Sequence, residues 1–355
     1  MNTNVKTKDE MLKRLYESFG YSLFKMSKFE EYDLYVRNKS FLVSDHIITF
    51  TDTDGKLMAL KPDVTLSIVK NSPEIESGVR KMYYNENVYR VPRGGFSFKE
   101  IMQTGLECIG DIDAYRISEV LTLAAKSLEI MSPDYVIDVS HMGIVAFAID
   151  LLELSAEGRK KTVKCLGEKN IHGIDAICVS ENVDVEKADV LKRLIAIKGG
   201  CEEMLDILRG SEAYDEALSF AETVSAVKEM GYNVNIDFSV TDDINYYSGI
   251  VFKGFVKGIP TSVLSGGRYD KLMKKMGKNA GAIGFAVYLD CFARFDVNDA
   301  EYDADALILY DDSCNITSVL KAVESFSGEN KKAVTAKSID EGMRYREIID
   351  LRGEK

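Results

Sequence analysis

The sequence predicts an α+β fold: an antiparallel sheet flanked by helices, broken by a helical insert and followed by a short α/β tail. Three observations carry this. Hairpin-like strand pairs come early, at "FLVSDHIITFTDTDGKLMAL" and "VRKMYYNENVYRVPRGGFSFKEIMQTGLECIG". Strands and helices do not alternate as βαβ units, which favours antiparallel pairing over a doubly wound sheet. From about residue 143 to 229 the chain becomes rich in Leu, Ala, Glu and Lys at helical spacing. At 355 residues two domains are the default. They are expected at 1–300, with the insert inside, and at 303–355.

"KDEMLKRLYESFGYSLF" opens as an amphipathic helix ended near Gly20. Two strands should then meet at an Asp54-Gly55 turn. "KPDVTLSIVKN" reads as a turn entering a helix, and a second strand pair follows around the basic loop Pro92-Arg93-Gly94-Gly95. "AYRISEVLTLAAKSLEIMS" is a helix of about five turns, and "DYVIDVSH" is a strand. After the helical insert, strand signals return at "NVNIDFSV", "SGIVFKGFV", "TSVLSGG" and "NAGAIGFAVYLDCFARF". The tail offers "ADALILY", "NITSVLKAVESF" and "KKAVTAK".

A net charge of −12, from 57 acids and 45 bases, argues against a nucleic-acid surface. The six cysteines have no CxxC spacing, and the histidines are only His46, His141 and His172. That disfavours zinc or a disulfide framework and favours reduced thiols in the cytoplasm. "MNTNVKTKDE" lacks a signal-peptide core, and no apolar run reaches membrane-spanning length. Neither GxGxxG nor a Walker loop is present. No metal or cofactor is expected.

Four constellations point to a small polar ligand, each beside a plainer alternative. Asp63 and Thr65 in "LKPDVTL" offer a carboxylate and a hydroxyl to an ammonium, or simply cap a helix. Gln103 and Glu107, four apart on a strand, share a face with Gly105. They form either a floor where a ligand approaches the backbone or a solvated polar stripe. Tyr246 and Tyr247 point to opposite faces if extended, so only one easily lines a pocket, and core packing is the alternative. "SGGRYDKL" offers Arg268 and Asp270, or only a tight turn.

Taken together, this series resembles histidyl-tRNA synthetase, a class II aminoacyl-tRNA synthetase, over about residues 10–295. "LKPDVTL" is similar to that family's "LRPEGT". "YRVPRGGFSFKEIMQTGLECIG" resembles its motif 2. "INYYSGIVF" and "SGGRYDKL" resemble its histidine-specific "LDYYTGTVFE" and "GGRYDGL", and "AGAIGFAVYLD" its motif 3. The resemblance implies an amino-acid site at Asp63, Thr65, Arg90, Gln103, Glu107, Tyr246 and Tyr247, with Asp63 shorter than the family's Glu. It also exposes departures. Asp242 stands where the family has a catalytic Arg, and Cys291 where motif 3 has an ATP-holding Arg. Ser97 and Lys99 occupy motif 2 loop positions that normally carry arginines.

Adenylate formation needs preorganised positive charge on the triphosphate. The departures therefore resemble those of a paralogous family, the regulatory subunits of ATP phosphoribosyltransferase. That resemblance implies a chain without aminoacylation. It would partner a short catalytic subunit in the first step of histidine biosynthesis and take free histidine as effector. The core would be homodimeric, with "FLVSDHIITF" as a candidate contact or a core strand. The alternatives are a histidyl-tRNA synthetase with unusual residues, or a synthetase-like enzyme acting on a free amino acid.

Overall fold

The structure, a computed structural model, describes residues 3–42, 46–75, 77–92, 95–197, 200–241, 246–295, 302–327, 331–340 and 342–353. It separates into two units, Met1–Phe295 and Asp296–Lys355.

The first unit begins with α1 (Thr3–Ser18), closed by Gly20 at φ +82°, a left-handed turn that suits glycine. Next come β1 (Ser22–Leu23), β2 (Phe29–Glu31), α2 (Tyr32–Arg37), β3 (Thr49–Thr51), β4 (Leu57–Leu60) and α3 (Val64–Asn71). The turn at Asp54-Gly55 forms, with Gly55 at φ +86° and its N–H donating to Asp52 O at 3.0 Å. The strand expected from Phe41 is shorter. Lys39–Phe41 is a 3₁₀ turn, and among the described residues pairing starts at Thr49. Two long strands follow, β5 (Val79–Arg90) and β6 (Lys99–Gly110), then α4 (Ala114–Met131) and β7 (Tyr135–His141). The Asp113 carboxylate accepts from Arg116 N at 2.8 Å and caps α4.

The insert holds α5 (Met142–Asp150), α6 (Ala156–Gly167), α7 (Ile171–Ser180), α8 (Val185–Ala196), α9 (Cys201–Leu208) and α10 (Tyr214–Glu229). The chain returns through β8 (Val234–Ile236), β9 (Ile250–Val256), β10 (Leu264–Arg268), α11 (Asp270–Lys275), β11 (Gly281–Tyr288) and α12 (Leu289–Phe295). The insert packs into the same core as the sheet. Its Ile144, Leu191 and Phe220 belong to the same buried cluster as Leu106 and Phe285 of the sheet.

The eight-stranded sheet has the order β1-β5-β6-β11-β10-β9-β7-β8. Its interior pairs are all antiparallel, while β1–β5 and β7–β8 at the two edges are parallel. The parallel β7–β8 pair requires a crossover, and the insert supplies it. Helices lie on both faces. Tyr83 of β5 and Phe285 of β11 pack with Tyr16 of α1 and Leu121 of α4. The alternate residues Met82, Tyr84 and Ala282 pack with Leu66 of α3 and Leu272 of α11. Strand alternation sends neighbouring side chains to the two cores, and the candidate site lies on the second.

In the second unit β12 (Ala304–Leu309) is flanked by β13 (Ala333–Ala336) and β14 (Tyr345–Asp350), all parallel, with α13 (Ile316–Ser327) between β12 and β13. Among the described residues no disulfide joins the cysteines, and no helix is long and apolar enough to cross a membrane.

Candidate ligand-binding site

A cavity of about 380 Å³ is lined by Asp63, Thr65, Arg90, Gln103, Glu107, Tyr246 and Tyr247. All seven sequence candidates thus meet in one place. The volume falls within the roughly 300–1,000 Å³ of small-molecule sites. Gln103 and Glu107 lie on β6, Arg90 ends β5, and Asp63 and Thr65 open α3.

Glu107 is the chemical centre. It is 2% exposed. Thr65 Oγ1 donates to its Oε1 at 2.9 Å and the Tyr269 hydroxyl to its Oε2 at 2.6 Å. Both donors are neutral. Burial pushes the carboxyl up to about 8, and the neighbouring Asp63 charge acts in the same direction; the two hydroxyls oppose it. Asp63 is both helix cap and cavity wall: its Oδ1 accepts from Leu66 N at 2.8 Å. Burial raises its pKa, while the Leu66 N–H and the Arg90 guanidinium pull the other way. Arg90 is buried and its Nη1 donates to Pro62 O at 3.4 Å.

Two expectations change. Gly105 is not an open floor: a Cβ there would lie 2.1 Å from Phe285 O and 2.7 Å from the Tyr84 hydroxyl. The ring of Tyr84 already fills that space. Tyr246 and Tyr247 both line the cavity, because the segment is not an extended strand. Their rings meet edge to face at 4.7 Å, and Tyr246 also contacts Phe41 at 5.7 Å and Tyr269 at 5.9 Å. Among the described residues no group of three His, Cys, Asp or Glu could hold a metal.

Gly284 of β11 backs this arrangement. A Cβ there would fall 1.8 Å from Glu107 Oε2 and 2.3 Å from Leu106 O. Gly284→Ala must therefore move the carboxyl and spread two paired strands. Overpacking of this kind costs about 1–3 kcal/mol. The expected result is a melting temperature lowered by several degrees, together with loss of ligand binding. An unchanged melting curve would contradict this geometry.

The histidyl-tRNA synthetase family model matches residues 3–291. An ATP phosphoribosyltransferase regulatory subunit from Caldanaerobacter subterraneus subsp. tengcongensis is 31% identical over 293 residues, 79% of this chain and 76% of its own. The chain belongs to the histidyl-tRNA synthetase family, among its ATP phosphoribosyltransferase regulatory subunits. Solved structures share the fold. A protein from Bacillus halodurans C, described as ATP phosphoribosyltransferase regulatory subunit/histidyl-tRNA synthetase, matches with TM-score 0.78 at 22% identity, covering 99% of this chain and 94% of that one. A chain from an ATP phosphoribosyl transferase complex of Thermotoga maritima matches with TM-score 0.63 at 19% identity, covering 79% of this chain and 96% of that one.

In this member of the histidyl-tRNA synthetase family, the departed positions are dispersed. Cys291 is half-buried in the cavity wall, near Asp290 and Tyr288. Ser97 is exposed on the β5–β6 hairpin, and Lys99 lines the cavity mouth. Asp242 lies outside the described residues. Sequence reasoning missed Tyr269. It singled out Arg268 and Asp270, but Arg268 Nε simply donates to Asp270 Oδ2 at 2.9 Å. The residue between them bonds Glu107. The aromatic at the centre of "SGGRYDKL" was the available signal.

Proposed function

We propose that the chain is the non-catalytic regulatory subunit of ATP phosphoribosyltransferase. It acts with a short catalytic subunit in the first step of histidine biosynthesis and carries feedback inhibition by free histidine. One juxtaposition supports this reading. The acidic, tyrosine-lined end of the cavity is complete, while a thiol, Cys291, stands on the wall where the family resemblance calls for an ATP-holding arginine.

The residues suit the three polar groups of histidine. Asp63, Gln103 and Glu107 surround the ammonium with acceptors. Arg90 meets the carboxylate in a charge-assisted pair. A hydroxyl of Tyr246 or Tyr247 meets one imidazole nitrogen and so fixes the tautomer. The test is reconstitution: the chain is mixed with the short catalytic subunit, and co-sedimentation and inhibition by histidine are measured. Absence of a complex would sink the reading.

A homodimeric core is part of this proposal. Phe29 and Phe50 on the β2-β4-β3 sheet are 44% and 38% exposed, with rings edge to face at 5.5 Å. An exposed aromatic pair on a sheet suits burial against a second copy. Sedimentation should show a dimer at micromolar concentration, and Phe50→Ser should weaken it at least ~10-fold, as hot-spot aromatics do. A strict monomer in the unsubstituted chain would contradict it.

A further inference from the structure

We propose that Lys61, buried behind the cavity wall, is a positioning residue for ligand binding: it pins the turn before α3 to β5 and so holds the Asp63 carboxylate toward an incoming ammonium. This rests on the reading of the cavity as a histidine site and adds a residue that never touches the ligand. Lys61 is 0% exposed, and a lysine is almost never buried so fully without a partner. Its partner is Glu86, whose Oε2 accepts from Lys61 Nζ at 2.9 Å.

Location separates this pair from an ordinary internal ion pair. Glu86 lies directly opposite Gln103 in the β5–β6 ladder, so its side chain stands on the cavity's face of the sheet. Three contacts tie the turn before Asp63 to β5. Lys61 Nζ bonds Glu86, Tyr89 N donates to Lys61 O at 2.8 Å, and Arg90 Nη1 donates to Pro62 O at 3.4 Å. Asp63 comes next in the chain and caps α3. Its carboxylate therefore sits where that turn places it.

Charge points the same way. Burial raises the Asp63 carboxyl, and the Leu66 N–H, Arg90, the Thr65 N–H and Lys61 draw it down. Arg90 turns to the ligand's carboxylate once histidine binds. Lys61 has no exposed surface for a ligand to meet, so its field stays on Asp63.

The test titrates the full chain with histidine calorimetrically, in buffers of different ionisation heat. Lys61→Met keeps much of the volume and removes the charge. Its Kd should rise at least ~10-fold, the scale of one charge-assisted hydrogen bond. At pH 6 it should also release more protons on binding than the unsubstituted chain, because a larger share of Asp63 starts protonated. Glu86→Gln keeps both an acceptor for Nζ and the Lys61 cation, so its Kd should stay within about threefold. Lys70→Met breaks the Lys70–Glu30 pair at the far end of α3, and should bind within about twofold, as loss of a partly exposed pair does. Should Lys61→Met alone not fold, Lys61→Met/Glu86→Gln leaves no buried charge unpaired and carries the same two expectations. Unchanged affinity and proton release in the folded Lys61 variant overturn the positioning role and leave the histidine site standing. An equal loss in Lys70→Met overturns it too, because any tether on α3 would then serve. An unsubstituted chain that binds no histidine overturns the cavity reading, and the role of Lys61 with it.

Discussion

Histidine-dependent pyrophosphate–ATP exchange by the purified chain is expected to run ~10²–10⁴-fold below that of an active synthetase. The figure follows from two lost cationic contacts, at Asp242 and Cys291, each worth about 1.5–3 kcal/mol, with ~1.4 kcal/mol per tenfold in rate. Ser97, exposed on the hairpin, deepens the deficit. The cavity retains the cations Arg90, Lys99 and Lys253, so it is not devoid of positive charge. What it lacks is a guanidinium at Cys291, where a thiol cannot offer the planar, bidentate donor set that grips a phosphate. Restoring one side chain as Cys291→Arg should not recover exchange, because the reaction needs the cations together. Exchange within tenfold of a synthetase would overturn the regulatory reading and favour an amino-acid-activating enzyme.

Much of the fold was legible because its signals are local. Gly20, the Asp54-Gly55 turn and the cap at Asp63 each act within a few residues. The Gln103–Glu107 spacing was equally readable, since both lie within one unbroken strand, β6, where residues four apart share a face. The parallel edges of the sheet were not, because they join strands distant in sequence with no turn to announce them. β14, "YREIID", was missed because its outer positions are mostly exposed, which leaves no apolar alternation to detect. The two tyrosines defeated a rule applied outside its domain: alternation governs strands, and Tyr246–Tyr247 lies before β9 begins. Tyr269 was hidden for a related reason. Its importance lies in one hydrogen bond to a residue 162 positions away.

The second large effect is a pH dependence of histidine binding that belongs to Glu107. In the free cavity its carboxyl is held up to about 8, chiefly by burial, so at pH 7 it is mostly protonated. An entering ammonium favours the ionised form, so binding should release a proton. Affinity should therefore rise as pH climbs from 7 towards 8 and fall again once the ligand's own ammonium loses its proton. The imidazole of histidine titrates near 6.5 and is already neutral in that window. Linkage gives the opposite sign for the stability of the unliganded chain. A carboxyl whose folded pKa stands above its ordinary 4.5 contributes stability below that value, and the contribution is lost as pH rises towards 8. Glu107→Gln keeps the shape but not the charge. Its amide NH₂ cannot accept, so whichever hydroxyl faces it, Thr65 or Tyr269, must turn its proton away. Losing a hydrogen bond to a charged group costs about 1.5–3 kcal/mol, which weakens binding roughly 10- to 150-fold. Calorimetric titration in buffers of different ionisation heat reads both effects at once. The unsubstituted chain should release close to one proton at pH 7, and Glu107→Gln should release none. Equal affinity and equal proton release in the two proteins would mean that histidine binds elsewhere and that this cavity is vestigial.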